Sequence, residues 1–265
     1  MQASEERGFE MIFDTHAHYE DEAFDEDRAE MIRTLPDYHV NRFVNVASDW
    51  SSLEKTRKIA ENCPDAYAAF GLHPDNVGEL DEDRMKKLEE YLNLPKCVAV
   101  GEIGLDYHWN KDNREEQIYW FTRQLDLARR HRLPVIIHSR DAAQDTMHIA
   151  REEKLGEIGG VIHCYAYSVE QALEYTDMGM YLGIGGVVTF KNARRLKETV
   201  QAVPLSHLVL ETDCPYLAPE PNRGTRNSSR NLRYVVRAIA ELKGIPAEEV
   251  EQTTWENACR MYRLQ

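Results

Sequence analysis

The residues of this 265-residue chain best suited to chemistry are histidines and carboxylates that each close a short apolar run. "DTHAH" (residues 14–18) follows Ile12 and Phe13 and carries His16 and His18. Glu102 lies in "VAVGEIGLDY", His138 in "VIIHSRD", His163 in "GVIHCY" and Asp213 in "LVLETDCP". In an extended strand side chains alternate with a period of two, so His16 and His18 share a face and their imidazoles converge. Two converging imidazoles are half of a metal site; alone they could equally be polar histidines of a surface turn. His138 or His163 taken singly reads more readily as a satisfied core histidine. Glu102 is harder to place alone, because a buried carboxylate needs a partner. Together, four imidazoles and two carboxylates account for one another by sharing cations.

Six ligands suit two metals. Glu102 is the natural bridge, since a carboxylate can give one oxygen to each ion. His16, His18 and Asp213 would complete one site, and His138 and His163 the other. Two such cations clamp a substrate oxygen and acidify water near neutral pH, and Asp213 is placed to take or orient that water's proton. Imidazole-rich ligation suits Zn, Mn, Fe or Ni; Mg remains open if substrate oxygens help. Cys164 and Cys214 each follow a ligand directly, and alternation is expected to turn them to the opposite face as packing residues. His39, His131, His148 and His207 receive no role.

The elements that position these residues alternate along the chain. Eight strand candidates are "EMIFDTH", "RFVNVAS", "AYAAFGLH", "CVAVGEIG", "LPVIIHS", "GGVIHCY", "GMYLGIGG" and "HLVLETD". Their consecutive Val and Ile residues fit strands buried on both faces of a parallel sheet. Amphipathic helices lie between them. Asn113 and Glu116 have capping-box spacing ahead of an Ile118, Phe121, Leu125, Ala128 stripe. Leu232, Val235, Val236, Ile239 and Leu242 form another stripe, closed by Gly244 and Pro246. Eight alternations predict an α/β fold of the (β/α)8 TIM-barrel type, with the strand-end ligands gathered at its C-terminal mouth. An open doubly wound sheet is the weaker alternative, for want of a glycine-rich phosphate fingerprint after the first strand. Gly101 and Gly104 are read as leaving room near Glu102. One catalytic barrel domain is expected over residues 11–265, after a short polar extension at residues 1–10 that lacks the apolar core of a signal peptide.

The bulk composition bounds the function. Apolar residues make up 42% and charged residues 29%, as in ordinary globular proteins. No apolar run reaches transmembrane length. Five scattered cysteines without a CxxC pair predict a reducing, cytoplasmic setting and no thiolate-zinc framework. A net charge of −14 is a poor match for wrapping a long nucleic-acid backbone, though not for a nuclease with bound cations and a few arginines.

The chain resembles the TatD family of metal-dependent hydrolases and DNases, within the amidohydrolase-like barrels. "DTHAH", "GLHP", "GEIGLDY", "IHSRDA", "HCY", "LETDCPYL", "RGTRN" and "ENACRMY" carry the resemblance and span residues 13–262. It implies a TIM barrel, two divalent cations (Mg, Mn or Zn) and hydrolysis of phosphodiester bonds in DNA. The family's ligands carry over onto His16, His18, Glu102, His138, His163 and Asp213. One departure is that Ser228 and Ser229 follow Asn227 where the family usually has a proline nearby.

The expected substrate is therefore nucleic acid, as single-stranded or frayed DNA ends. Alternatives are another ester or amide, such as D-aminoacyl-tRNA, or a metal-binding interaction protein without turnover. Arg140, Lys191, Arg223 and Arg226 are the basic residues that would favour phosphate, with Lys191 better read as surface charge. His73 in "GLHP" would line the pocket or pack beside Pro74. Tyr107, His108 and Trp109 would stack on a base or pack on the following helix.

Overall fold

Runs of branched apolar residues become strands because each is covered on both faces. The computed structural model describes residues 11–109 and 112–265. The polar extension read at residues 1–10 lies outside the described residues, as do Asn110 and Lys111. Among the described residues there are eight strands, β1 (Ile12–Ala17), β2 (Val40–Val46), β3 (Ala66–Phe70), β4 (Cys97–Asp106), β5 (Val135–Arg140), β6 (Gly160–Ile162), β7 (Tyr181–Ile184) and β8 (Leu208–Leu210). They form one sheet in sequence order, every neighbouring pair parallel. The chain behind β8 closes the sheet onto β1: Thr15 Oγ1 donates to the Leu210 carbonyl (2.9 Å), and the Asp213 N–H to the His16 carbonyl (3.0 Å). The result is a nearly closed α/β TIM barrel.

The helices among the described residues are α1 (Arg28–Arg33), α2 (Ser52–Asn62), α3 (Glu82–Leu92), α4 (Arg114–His131), α5 (Ala143–Glu152), α6 (Leu155–Ile158), α7 (Val169–Asp177), α8 (Arg194–Ala202), α9 (Leu232–Lys243) and α10 (Ala247–Met261). The α4 stripe buries Phe121, Leu125 and Ala128, and α9 ends at Gly244 in the left-handed region (φ 67°). The capping box expected at α4 does not form: Asn113 gives no side-chain cap and instead accepts from Gln117 Nε2 (2.8 Å).

Two apolar layers result. One fills the space between strands and helices. The other joins Phe13, Val44, Ala69, Ala99, Ile136, Val161 and Val209, from seven strands, to Ala258, Met261 and Tyr262 at the end of α10. This second set is the barrel interior. Helix α10 plugs its lower end, where Asn257 Nδ2 donates to the carbonyls of Leu205 and Leu208 at the start of β8. Two residues further along three strands, the inward parity of Ile136, Val161 and Val209 reaches His138, His163 and Glu211.

Candidate metal centre

Glu102 sits within β4, which continues past it to Asp106, so it does not end the strand as the sequence suggested. A register irregularity between Val100 and Ile103 sets its position. Gly101 and Gly104 serve β5 rather than open space at the site: a Cβ on Gly104 (φ 146°) would meet the His138 carbonyl oxygen at 2.0 Å, and one on Gly101 would meet Ile136 Cβ at 2.6 Å.

The two oxygens of Glu102 face different partners. Oε2 lies 3.5 Å from His16 Nε2 and 3.8 Å from His18 Nε2. Oε1 lies 2.8 Å from His138 Nδ1, 3.8 Å from His163 Nε2 and 3.9 Å from His73 Nε2. Asp213 Oδ1 faces His18 (3.4 Å), His163 (3.7 Å) and His16 (3.9 Å). The structure thus brings His16, His18, Glu102, His138, His163 and Asp213 together, with His73 beside them. Asp213 adopts the left-handed region (φ 54°), which a short polar side chain tolerates better than most.

Outer partners fix three of the imidazoles. His18 Nδ1 faces the Val46 carbonyl (2.8 Å) and Glu20 (3.2 Å). His138 Nε2 faces Asp106 Oδ2 (2.9 Å), and His163 Nδ1 faces Glu211 Oε2 (3.1 Å). A carboxylate or carbonyl behind a histidine is the usual support of a metal ligand, since it orients the ring and leaves the inner nitrogen for the ion. His16 and His18 turn their Nε2 atoms to within 3.0 Å of each other, while buried His16 Nδ1 has no hydrogen-bond partner. Facing imidazole nitrogens flanked by two carboxylates form a donor set that fits divalent cations.

The electrostatics agree. Burial alone would strip protons from these imidazoles, but carboxylates outweigh it at three of them. Glu20 and Asp213 hold His18 well above the usual histidine range; Asp106 and Glu102 bring His138 up to about 9; Glu211 and Glu102 bring His163 up to about 10. At His73 burial wins, helped by His138, and the pKa falls to about 3; His16 is lowered likewise by burial and by His163. Burial would raise the carboxyls of Glu102 and Asp213, yet the surrounding imidazoles hold both below the usual range. Protons on histidines here offset negative charge that a cation would otherwise offset.

Asp106, Glu211 and Glu20 were missed from the sequence as supports, although Glu211 shares strand parity with Asp213. Cys164 also departs from expectation. It lies in a turn past β6 (φ 46°), not on the opposite strand face; its N–H donates to Glu211 Oε1 (2.6 Å), and its thiol gathers with His163 and Glu211. Cys214 is fully buried beside β1.

Asp14 of "DTHAH" anchors the site to the last loop. It accepts from the His16 N–H (3.2 Å), Thr212 Oγ1 (2.7 Å) and Ser229 Oγ (2.6 Å), and burial raises its pKa to about 7. Ser229, part of the departure after Asn227, thus supplies a hydroxyl to a buried carboxyl.

The residues read as substrate contacts divide. His73 lines the centre, its ring 4.2 Å from that of His138. Tyr107 packs rather than faces the mouth: its hydroxyl donates to Asp145 (2.6 Å) and Arg114 lies over its ring. His108 Nδ1 pairs with Asp141 (3.0 Å). Trp109 is exposed, with Arg140 over its ring at 5.3 Å; Arg223 lies over Phe190 at 4.2 Å. Arg226 is committed to Asp27 (2.5 Å) and the Ala23 carbonyl (2.6 Å), which removes it from the phosphate-binding candidates. Lys191 is exposed. No described helix is long and apolar enough to cross a membrane.

Comparison with known proteins agrees with this geometry. The profile of the TatD-related DNase family matches residues 13–263. The uncharacterized metal-dependent hydrolase YabD of Bacillus subtilis is 42% identical over 254 residues, covering 96% of this chain and all of that protein. The uncharacterized metal-dependent hydrolase YcfH of Escherichia coli K12 is 33% identical over 257 residues, 96% of each chain. The crystal structure of the TatD homologue YjjV from E. coli K12 superposes with a TM-score of 0.91 at 29% identity, covering 96% of this chain and 98% of that one. The matched span, the barrel and the gathered histidines and carboxylates together place this chain in the TatD-related DNase family of metal-dependent hydrolases.

Proposed function

We propose that the protein hydrolyses phosphodiester bonds of DNA at single-stranded or frayed ends, using two divalent cations that share Glu102. The observation that carries this reading is the split of the Glu102 carboxylate, Oε2 toward His16 and His18, Oε1 toward His138 and His163. His16, His18 and Asp213 would hold one cation, His138 and His163 the other. When bound, such cations supply positive charge that acidifies water and offsets charge on the phosphoryl oxygens.

The chain's own residues do the rest. Asp213 is the most exposed of the six ligands, its side chain 20% accessible, so its carboxylate borders the solvent from which the nucleophilic water comes. It orients that water and takes its proton. Asp106 and Glu211 hold His138 and His163 in register. Among the described residues neither Arg140 nor Arg223 has an ion-pair partner, which leaves both cations for phosphate. With a net charge of −14 over the whole chain, few phosphates are neutralised, which favours a short end over a long duplex.

The test is a substrate panel of labelled single-stranded DNA, duplex DNA, RNA and D-aminoacyl-tRNA, each with Mg, Mn and Zn. Cleavage of single-stranded DNA ahead of the others supports the reading. Turnover of D-aminoacyl-tRNA alone would replace it with ester hydrolysis, and no turnover with bound metal would replace it with an interaction role.

A further inference from the structure

Trp109 stands out on the surface. It is 68% accessible, an indole held in water immediately after the strand that carries Glu102. Its turn is fixed: Asp106 Oδ1 accepts from the backbone N–H groups of both His108 (2.8 Å) and Trp109 (3.2 Å). The other oxygen of the same carboxylate faces His138 Nε2 at 2.9 Å. One buried side chain therefore sets the exposed ring and a candidate metal ligand in a common frame.

A cation joins the ring. Arg140 lies two residues beyond His138 on β5, so strand alternation sends both to the same side. Its guanidinium carbon is 5.3 Å from the Trp109 ring centroid, within cation–π range. The nearby acidic groups are Asp141, which His108 Nδ1 engages at 3.0 Å, and Asp75, which feels the charge of Arg140 but forms no ion pair with it. The His108 ring stands edge-on to the indole at 4.7 Å and braces it.

We propose that Trp109 and Arg140 form a nucleobase–phosphate subsite, in which the indole stacks an unpaired base of a DNA strand and Arg140 engages that strand's phosphate. This rests on the DNA-end reading above and deepens it. Stacking tolerates any base, because every base has a π-face, and a phosphate contact reads no sequence. A base inside a duplex is already stacked on both faces, so this subsite selects single-stranded or frayed ends.

A double-mutant cycle tests it. Wild-type and Trp109→Ala enzymes are compared on a single-stranded oligonucleotide and on a series with one tetrahydrofuran abasic residue stepped inward from each end. Each reaction is read as kcat/KM, with metal content measured in both proteins. Stacking is worth ~1–3 kcal/mol per base, which predicts a loss of about 5- to 150-fold for Trp109→Ala on the full oligonucleotide. Trp109→Phe should recover most of it. At one position along the strand, removing the base should cost wild type a similar factor, and Trp109→Ala should cost nothing further. Losses that multiply at every position, or Trp109→Ala equal to wild type on the full strand, would overturn the subsite while leaving DNA cleavage intact. A wild-type enzyme that cleaves no oligonucleotide with Mg, Mn or Zn would overturn the DNA reading itself, and the subsite with it.

Discussion

Gly183 of β7 lies directly against the carboxylate of Glu211, so closely that a Cβ at position 183 would fall 2.0 Å from Oε2. Glu211 is 1% accessible and holds both the His163 ring and the Cys164 N–H. The missing side chain of a strand glycine is thus the space in which the support of a candidate metal ligand sits. Gly183 is paired with Val209 on β8, so the backbone has little freedom to retreat.

Gly183→Ala is therefore expected to push the Glu211 carboxylate off His163 without touching any ligand. Loss of such outer partners typically costs about 10- to 100-fold in metal affinity. Metal titration of the purified variant checks this, with circular dichroism confirming the fold. Wild-type affinity would show that Glu211 does not support the centre.

Asp213→Asn keeps the side-chain shape but cannot accept a proton from water at neutral pH. General-base assistance is worth ~10²–10⁴-fold, and turnover of the best substrate in the panel should fall by that order with the fold intact. Near wild-type turnover at unchanged metal content would remove Asp213 from proton transfer.

The raised histidines set a pH dependence. His138 (about 9) and His163 (about 10) hold protons in the folded, metal-free protein that the unfolded chain releases near the ordinary histidine value of about 6.5. The folded state then binds more protons than the unfolded one, so this stability is full below that value and is lost as pH rises through the folded values. The melting temperature of chelator-treated protein should fall between about pH 6.5 and pH 10, and cation loading should flatten the fall by replacing the protons. A flat or rising profile without metal would contradict the assigned proton positions.

Much of this centre was legible because a strand encodes direction. The parity that buries Ile136 and Val161 carries His138 and His163 into the barrel, and "HxH" repeats that logic at His16 and His18. The eight apolar runs were long enough to read as strands without any contact information. Less legible was whatever depended on neighbours distant in sequence. Asp106 and Glu211 act on histidines 32 and 48 residues away. Arg226 pairs with Asp27, 199 residues away. The reach of β4 past Glu102 follows from its pairing with β5 out to Arg140, which no local pattern announces. Yet each proposed ligand histidine calls for an outer acceptor, and "GLDY" and "LETD" offer Asp106 and Glu211 at the same strand ends.

Two cations that share one carboxylate should depart together when it is removed, so the metal content of Glu102→Ala decides between a dinuclear centre and separate sites. Wild-type protein loaded with Mn or Zn and freed of excess should carry two ions per chain by elemental analysis. The Glu102→Ala protein should lose both sites together, since its carboxylate faces both histidine groups. Two ions retained in Glu102→Ala would contradict the bridge and the dinuclear centre built on it.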